Sequence, residues 1–163
     1  MKILFRRLRD HIRLLFPIFA FIAGVWLLRW MMDAAGTPMI ITRLVSVTVA
    51  SGVSILLAVL LIHAKRYGYA SVVIASLFIN VWSEGLIAAA IWFTMLTGKT
   101  NIYSAPQYSE MESHFDHLRA HLTFGIAIGT IEGAIVGCLL LWLLRRLVPV
   151  RTEGKRKQTG SRD

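Results

Sequence analysis

The chain has 163 residues, of which 56% are hydrophobic and only 17% are charged, and its mean hydropathy is +0.61. Soluble domains carry about 25% charged residues, so this composition excludes an ordinary soluble protein and indicates a membrane protein. The net charge of +9 is also typical of nucleic-acid-binding proteins. Most of this excess follows the membrane pattern described below, however, and we expect no nucleic-acid partner.

Residues 1–15 alternate basic and apolar side chains at helical spacing. This pattern predicts an amphipathic juxtamembrane segment that lies on the inner leaflet and binds its anionic lipids. A cleaved signal peptide is a poorer interpretation, because the apolar stretch that follows is long, contains Arg29 and lacks a small-x-small cleavage pattern. We therefore expect an uncleaved first span.

Four apolar stretches are each long enough to cross a hydrocarbon core, which needs about 20 helical residues. Because the connections between them are short, residues 16–144 are predicted to form one all-α transmembrane domain, a four-helix antiparallel bundle. Residues 145–163 are basic and polar without periodicity, which predicts a disordered tail. The four predicted spans lie near residues 16–32, 44–63, 71–97 and 122–144.

The basic residues predict the orientation of the bundle. Of the 18 Lys and Arg residues, 14 lie in the N-terminal segment, the loop between the second and third spans, and the C-terminal tail. Short loops rich in Lys and Arg stay in the cytoplasm, so both termini are predicted to be cytoplasmic. The expected location is the inner (plasma) membrane, with the lipid bilayer as the main partner.

Three ionisable residues lie inside the predicted spans: Arg29, Glu84 and Glu132. By helical rise all three fall within one or two turns of the same depth, so we expect them to meet. Asn80 lies four residues before Glu84, on the same helical face, and is expected to join them. Two interpretations stay open: a structural network that holds the helices together, or a path on which Glu84 and Glu132 bind and release a proton or cation.

A glycine occurs at every fourth position of the last span. Glycines at this spacing line one side of a helix and allow the backbone of a partner helix to approach closely. The partner is either another helix of the same chain or the same helix of a second protomer, which would give a homodimer. Glu132 flanks this face. The glycines are Gly125, Gly129, Gly133 and Gly137.

A second cluster precedes the last span, where Glu110, His114, His117 and His121 fall on one helical face. Imidazole and carboxylate groups are ligands for divalent transition metals such as Zn²⁺, Ni²⁺, Co²⁺ and Cu²⁺. A straight helix spreads these residues over about 16 Å, so two neighbouring histidines would form only a half-site. The other interpretations are an amphipathic segment on the outer membrane surface and a pH-sensing role.

No motif in the sequence names a reaction. It contains no GxSxG, P-loop, HExxH or CxxC motif, and the single cysteine, Cys138, excludes an intramolecular disulfide. We therefore expect no enzymatic activity, and no cofactor is firmly implied. The first functional hypothesis is a helix-packing and interaction module. The alternatives are a proton- or cation-coupled transporter or channel component that uses Glu84 and Glu132, and an outer-face metal-binding protein.

Overall fold

Helices make up nearly all of the structure, a computed structural model that describes residues 2–105 and 113–148, with side chains from residue 9 onward. The predicted all-α class is confirmed, since these ranges contain no strand. A π-helical turn, His121–Gly125, joins the last two helices. The helices are α1 (Lys2–Ala34), α2 (Met39–Leu44), α3 (Val47–Ala64), α4 (Tyr69–Thr97), α5 (His114–Ala120) and α6 (Ile126–Leu147).

Four helical segments are long and apolar enough to cross a membrane, as predicted. Their mean hydropathies lie between 1.8 and 2.5. The side of the membrane on which each terminus lies, and the identity of the membrane, stay predictions. The segments are Arg9–Ala34, Met39–Ala64, Tyr69–Thr97 and His114–Leu147.

Two boundaries differ from the prediction. The second span does not begin as one helix at residue 44, because the chain breaks between α2 and α3, where the Ser46 side chain accepts a hydrogen bond from the Val49 N–H at 3.4 Å. Serine is a favoured N-cap, so a new helix starts there. α1 runs without a break from Lys2 to Ala34 through Pro17, so residues 15 and 16 belong to one helix. The tail from residue 149 lies outside the described residues.

The α3–α4 pair forms the centre of the bundle. α1 packs against both of these helices, and so does α6, but α1 and α6 make no contact with each other within the described residues. The two outer helices therefore lie on opposite sides of the central pair. The fully buried core side chains include Leu15 and Ile22 of α1, Val59 and Ile62 of α3, Ile79 and Ile91 of α4, and Leu141 of α6.

Hydrogen bonds to backbone carbonyls join the outer helices, α1 and α6, to the central α3–α4 pair and its connection. On the α1 side, Trp82 Nε1 donates to the Phe19 carbonyl at 3.0 Å. At the end of α6, Arg145 Nη2 donates to the Tyr67 carbonyl at 2.7 Å and His63 Nε2 donates to the Val148 carbonyl at 2.9 Å. These bonds tie the C-terminal end of α6 to the connection between α3 and α4.

Candidate functional site

Four glycines form a ridge, the glycine ridge, that packs mainly on the predicted polar face of α4: Gly125 of the π-helical turn and Gly129, Gly133 and Gly137 of α6. A β-carbon at any of them would approach a neighbouring side chain more closely than normal van der Waals contact allows, so that neighbour would have to move. For each glycine four residues later in the chain, the contacted residue of α4 lies four residues earlier. One face of the glycine-bearing segment is therefore in contact with one face of α4. The pairs are Gly125 with Glu84, Gly129 with Asn80, Gly133 with Ser76, and Gly137 with Val72; Ile55 and Val59 of α3 also contact the last two glycines.

The partner of the ridge is therefore a helix of the same chain, one of the two alternatives that the sequence left open. Within this contact Asn80 is buried, and its Nδ2 donates to the Ser76 carbonyl at 2.8 Å. A homodimer through α6 stays a prediction, and it would have to use a different face of the helix.

A chain of three ionisable side chains crosses from α4 to α5. His121 Nδ1 lies 2.5 Å from Glu84 Oε2, and the Nε2 atoms of His121 and His117 lie 3.1 Å apart. The Glu84 and His121 side chains are 14% and 26% exposed, and His117 is buried. Glu84 therefore belongs to the same cluster as two of the histidines, which the sequence assigned to a separate site.

The two contacts specify a set of tautomers. When the Glu84 carboxylate is ionised, His121 Nδ1–H donates to Oε2, which leaves His121 Nε2 as an acceptor. His117 Nε2–H then donates to that atom. His117 Nδ1 is left with a free lone pair, and within the described residues it is buried without a hydrogen-bond partner. Among the described residues, the buried Nδ1 lone pair of His117 is therefore the one unpaired acceptor at the end of this chain of three side chains.

Local structure positions both histidines. Ser113 caps α5: its Oγ accepts from the Asp116 N–H at 3.1 Å and donates to Asp116 Oδ2 at 2.8 Å. His117 and His121 lie four residues apart and so share a face of the helical segment. The π-helical turn from His121 to Gly125 then inserts one extra residue before α6 begins. Such turns often occur at functional sites.

A cavity of about 780 Å³ lies next to this chain, between α3, α4 and the α5–α6 segment. Ser51 of α3 also contacts Ser83 of α4, with 3.3 Å between their hydroxyl oxygens. Two acids, two imidazoles, an amide and two hydroxyls thus face one space. The polar lining residues are Thr48, Ser51, Asn80, Glu84, His117, His121 and Glu132.

Three of the four predicted network residues line the cavity: Asn80, Glu84 and Glu132. Glu132 is exposed on the α6 wall of this cavity. The structure places Arg29 elsewhere, with its guanidinium carbon 5.1 Å from the centre of the Tyr103 ring. The physical reason is the arrangement of the helices, because the central pair separates α1 from α6.

A polar cap on α4 was not predicted. Asn101, in the loop after α4, is buried, and its Nδ2 donates to the Ala90 carbonyl at 2.8 Å and to Thr94 Oγ1 at 2.9 Å. Thr94 Oγ1 in turn donates to Ser104 Oγ at 2.8 Å. Tyr103 of the same loop donates its hydroxyl to the Trp26 carbonyl at 3.0 Å, which joins the loop to α1. The only sequence signal was a polar run, Thr97 to Asn101, directly after the span.

The structure describes three of the four predicted metal ligands. Glu110 lies outside the described residues, and His114 is exposed at the start of α5. In residues 2–105 and 113–148, no group of three or more His, Cys, Asp or Glu side chains has an arrangement that could hold a metal ion. The metal site stays a prediction, and within these ranges it has two histidines beside one another.

Comparisons with known protein families, with curated proteins and with solved structures find no match to this chain. The functional proposal therefore depends on the geometry of the cavity and of the side chains that line it.

Proposed function

We propose that the protein is a proton-translocating membrane protein, a transporter or channel component, in which Glu84 is the acid that carries the proton. The observation that carries this proposal is the 2.5 Å contact between Glu84 Oε2 and His121 Nδ1, two residues that line the cavity. Both residues belong to helical segments that are apolar enough to span a membrane. Ionisable residues are costly inside membranes, and those that persist there commonly mark proton or ion pathways.

The proposed frame is an antiparallel four-helix bundle with both termini in the cytoplasm. In this frame α5 lies at the outer end, so His117 is the outermost of the three connected side chains. Towards the inner end α6 packs closely on α4, because Gly133 and Gly137 lie against Ser76 and Val72. In the proposed frame the cavity therefore takes up protons from the outside, and this close contact restricts access from the cytoplasm.

A proton moves along the chain by two linked transfers. His117 gains a proton at Nδ1 and gives one up from Nε2 to His121 Nε2, over a separation of 3.1 Å. His121 then releases the proton on Nδ1 to Glu84 Oε2, across 2.5 Å. The result is a neutral Glu84 and two neutral imidazoles, with one proton taken up from the outer side.

Glu132 provides the next acceptor towards the inner end. It lies seven residues beyond Gly125, the residue that contacts Glu84, which is about 10 Å of helical rise. The titratable groups that face Glu84 are therefore His121 and His117 from the α5 side and Glu132 from α6, while α3 contributes hydroxyls. No Lys or Arg of the described chain lines the cavity, so a proton meets no fixed positive charge there.

The test is proton uptake into proteoliposomes that contain the purified full-length protein. A potassium diffusion potential, negative inside, drives the uptake, and a trapped pH-sensitive dye reports it. We expect acidification faster than in protein-free liposomes, and Glu84→Gln should reduce it to the protein-free rate. The control is Asp33→Asn, which removes an acid of α1 that does not line the cavity. The proposal fails if the wild type is no faster than protein-free liposomes, or if folded Glu84→Gln retains the wild-type rate.

A second candidate function is the helix-packing and interaction module, which the close contact of the four glycines of the glycine ridge with α4 and α3 favours. In that case the polar residues serve only to hold the helices together. Glu84→Gln would then lower the thermal stability of the detergent-solubilised protein without any proton movement in the wild type, which separates the two candidates.

A further inference from the structure

We propose that the cavity binds an amphipathic organic cation, with its positive group near Glu84 and Glu132 and its apolar body along the groove between α3 and α6. This inference rests on the proposed function, because it names the class of solute whose movement the protons would drive.

The size of the cavity points to a molecule rather than to a proton or a bare ion alone. Its volume of about 780 Å³ falls within the range of about 300–1,000 Å³ that small-molecule sites occupy. Such sites are mostly apolar with a few convergent polar groups, and this cavity has that composition. A path for protons alone would need only a continuous row of polar groups and no cavity of this volume.

The charges of the lining favour a cation. Glu84 and Glu132 are the charged residues of the described lining, which includes no Lys or Arg. The Glu84 carboxylate already accepts from His121, while the structure gives Glu132 no bonded partner among the described residues and leaves it exposed on the cavity wall. A carboxylate at membrane depth is stabilised by an opposite charge nearby. A bound cation would supply that charge.

The apolar part of the lining opens sideways. Leu56 of α3 and Phe124, Ile128 and Val136 on the α6 side all line the cavity, yet each is between 43% and 69% exposed. They therefore form the rim of a groove that faces the surroundings of the bundle at the depth of the apolar spans. Amphipathic solutes concentrate at the boundary between the headgroups and the acyl chains of a bilayer.

Two other occupants match the apolar rim but provide no positive charge for Glu84 and Glu132. A lipid acyl chain, or an apolar helix of a second copy of this chain, would cover Leu56 and Phe124 and leave both carboxylates without an opposite charge. The charge complementarity of the lining therefore selects the organic cation.

The test measures binding of tetraphenylphosphonium, a lipophilic cation, to the purified full-length protein in detergent by titration calorimetry. Tetraphenylborate has the same shape and the opposite charge, and it serves as the matched ligand control. We expect one tetraphenylphosphonium per chain and no tetraphenylborate. Glu132→Gln should weaken binding by about tenfold, the loss of one charged contact, and the Glu84→Gln/Glu132→Gln double variant should abolish it.

A second variant tests the cavity without changing its charge. Gly52 lines the cavity from α3, and an added β-carbon there has no neighbour within 4 Å, so Gly52→Trp is chosen to fill the space, with its fold verified by gel filtration and thermal unfolding. It should block tetraphenylphosphonium binding, while Asp33→Asn should leave binding unchanged.

Four results would overturn the inference: no tetraphenylphosphonium binding above the detergent blank, equal binding of tetraphenylborate, unchanged binding by the double variant, or a lipid or a second protomer that remains in the groove at saturating cation. The proposed function fails separately. Proton uptake that depends on Glu84 without cation binding contradicts only this inference, and cation binding without proton uptake contradicts only the proposed function.

Discussion

Gly125, the last residue of the π-helical turn before α6, lies directly against Glu84 of α4: a β-carbon at position 125 would lie 2.7 Å from Glu84 Oε2 and 2.9 Å from Glu84 Cδ. The carboxylate that contacts His121 thus occupies the space that the missing side chain leaves. The first glycine of the ridge has a role that helix packing alone does not explain, because it leaves room for the acid of the candidate site.

Gly125→Ala should therefore impair the site more than the fold. The atoms that the new methyl group meets belong to the end of a flexible side chain, so the helices can keep their contact while the carboxylate moves away from His121. We expect potential-driven proton uptake to fall by about tenfold or more, since displacing a reacting group by about 1 Å can cost up to about 100-fold. The matched control is Gly85→Ala, where a β-carbon meets nothing within 4 Å. Equal rates in the two variants would contradict this role of Gly125.

Gly137→Ala should destabilise the fold instead. Its β-carbon would lie 2.6 Å from Val72 Cγ1 and 3.2 Å from Val59 Cγ2, and valine side chains have little freedom to move aside. Overpacking of this kind costs about 1–3 kcal/mol, which thermal unfolding in detergent would detect as a lower midpoint. Gly24→Ala in α1 has open space around the new carbon and should be neutral or slightly stabilising. A midpoint for Gly137→Ala as high as that for Gly24→Ala would show that α6 does not pack here on α3 and α4.

Asn101→Ala should loosen the polar cap at the end of α4. The variant loses the Nδ2 bonds to the Ala90 carbonyl and Thr94 Oγ1, and also the bond in which Asn101 Oδ1 accepts from the Tyr103 N–H at 2.9 Å. Because these partners are buried, we expect a loss of about 2 kcal/mol or more in the free energy of unfolding. Thr97→Ala removes only exposed bonds, one donated to the Phe93 carbonyl and one accepted from the Lys99 N–H, and should cost less. Equal losses would contradict the buried network.

Tyr103 should ionise only in strongly alkaline solution. Burial raises the pKa of its phenol above the usual value of about 10, the Arg29 guanidinium opposes this shift, and the Asp33 carboxylate adds to it. The difference in ultraviolet absorbance between the wild type and Tyr103→Phe, titrated from pH 8 upwards, should show no tyrosinate at about pH 10. A tyrosinate signal with its midpoint at about pH 10 would contradict the buried environment.

The same shift makes stability depend on pH. A raised pKa in the folded state means that the contribution of Tyr103 is fully present below about pH 10, the pKa of the unfolded chain. It is lost as the pH rises through the higher pKa of the folded state. The unfolding midpoint of the wild type should therefore fall over that alkaline range more steeply than that of Tyr103→Phe.

Helical spacing in the sequence indicates which residues share a face of one helix. The four spans, the Asn80 and Glu84 face of α4, and the glycine face of α6 all follow from composition and a period of 3.6 residues. The register between these two faces could not be predicted, because spacing within a helix does not specify which other helix it contacts.

The meeting of Glu84 and His121 was missed for two physical reasons. Residue spacing assigns Glu84 a depth within a span and places the histidines before the last span, although the helical segment that carries His117 and His121 leads directly into that span. The π-helical turn at His121–Gly125 also changes the orientation of these side chains relative to α6, and no residue pattern in the sequence predicts this turn. Conversely, equal depth was not sufficient to bring Arg29 to Glu132, because depth does not tell which side of the central pair a helix occupies.

A double-mutant cycle tests whether Glu84 and His121 act as one proton-transferring unit. Proton uptake is measured for wild type, Glu84→Gln, His121→Ala and the double variant, each verified as folded by gel filtration and thermal unfolding. If the two residues share one proton path, His121→Ala lowers uptake as Glu84→Gln does, and the double variant is no slower than Glu84→Gln alone. If folded His121→Ala keeps the wild-type rate while Glu84→Gln does not, the residues act independently and the proposed relay is contradicted.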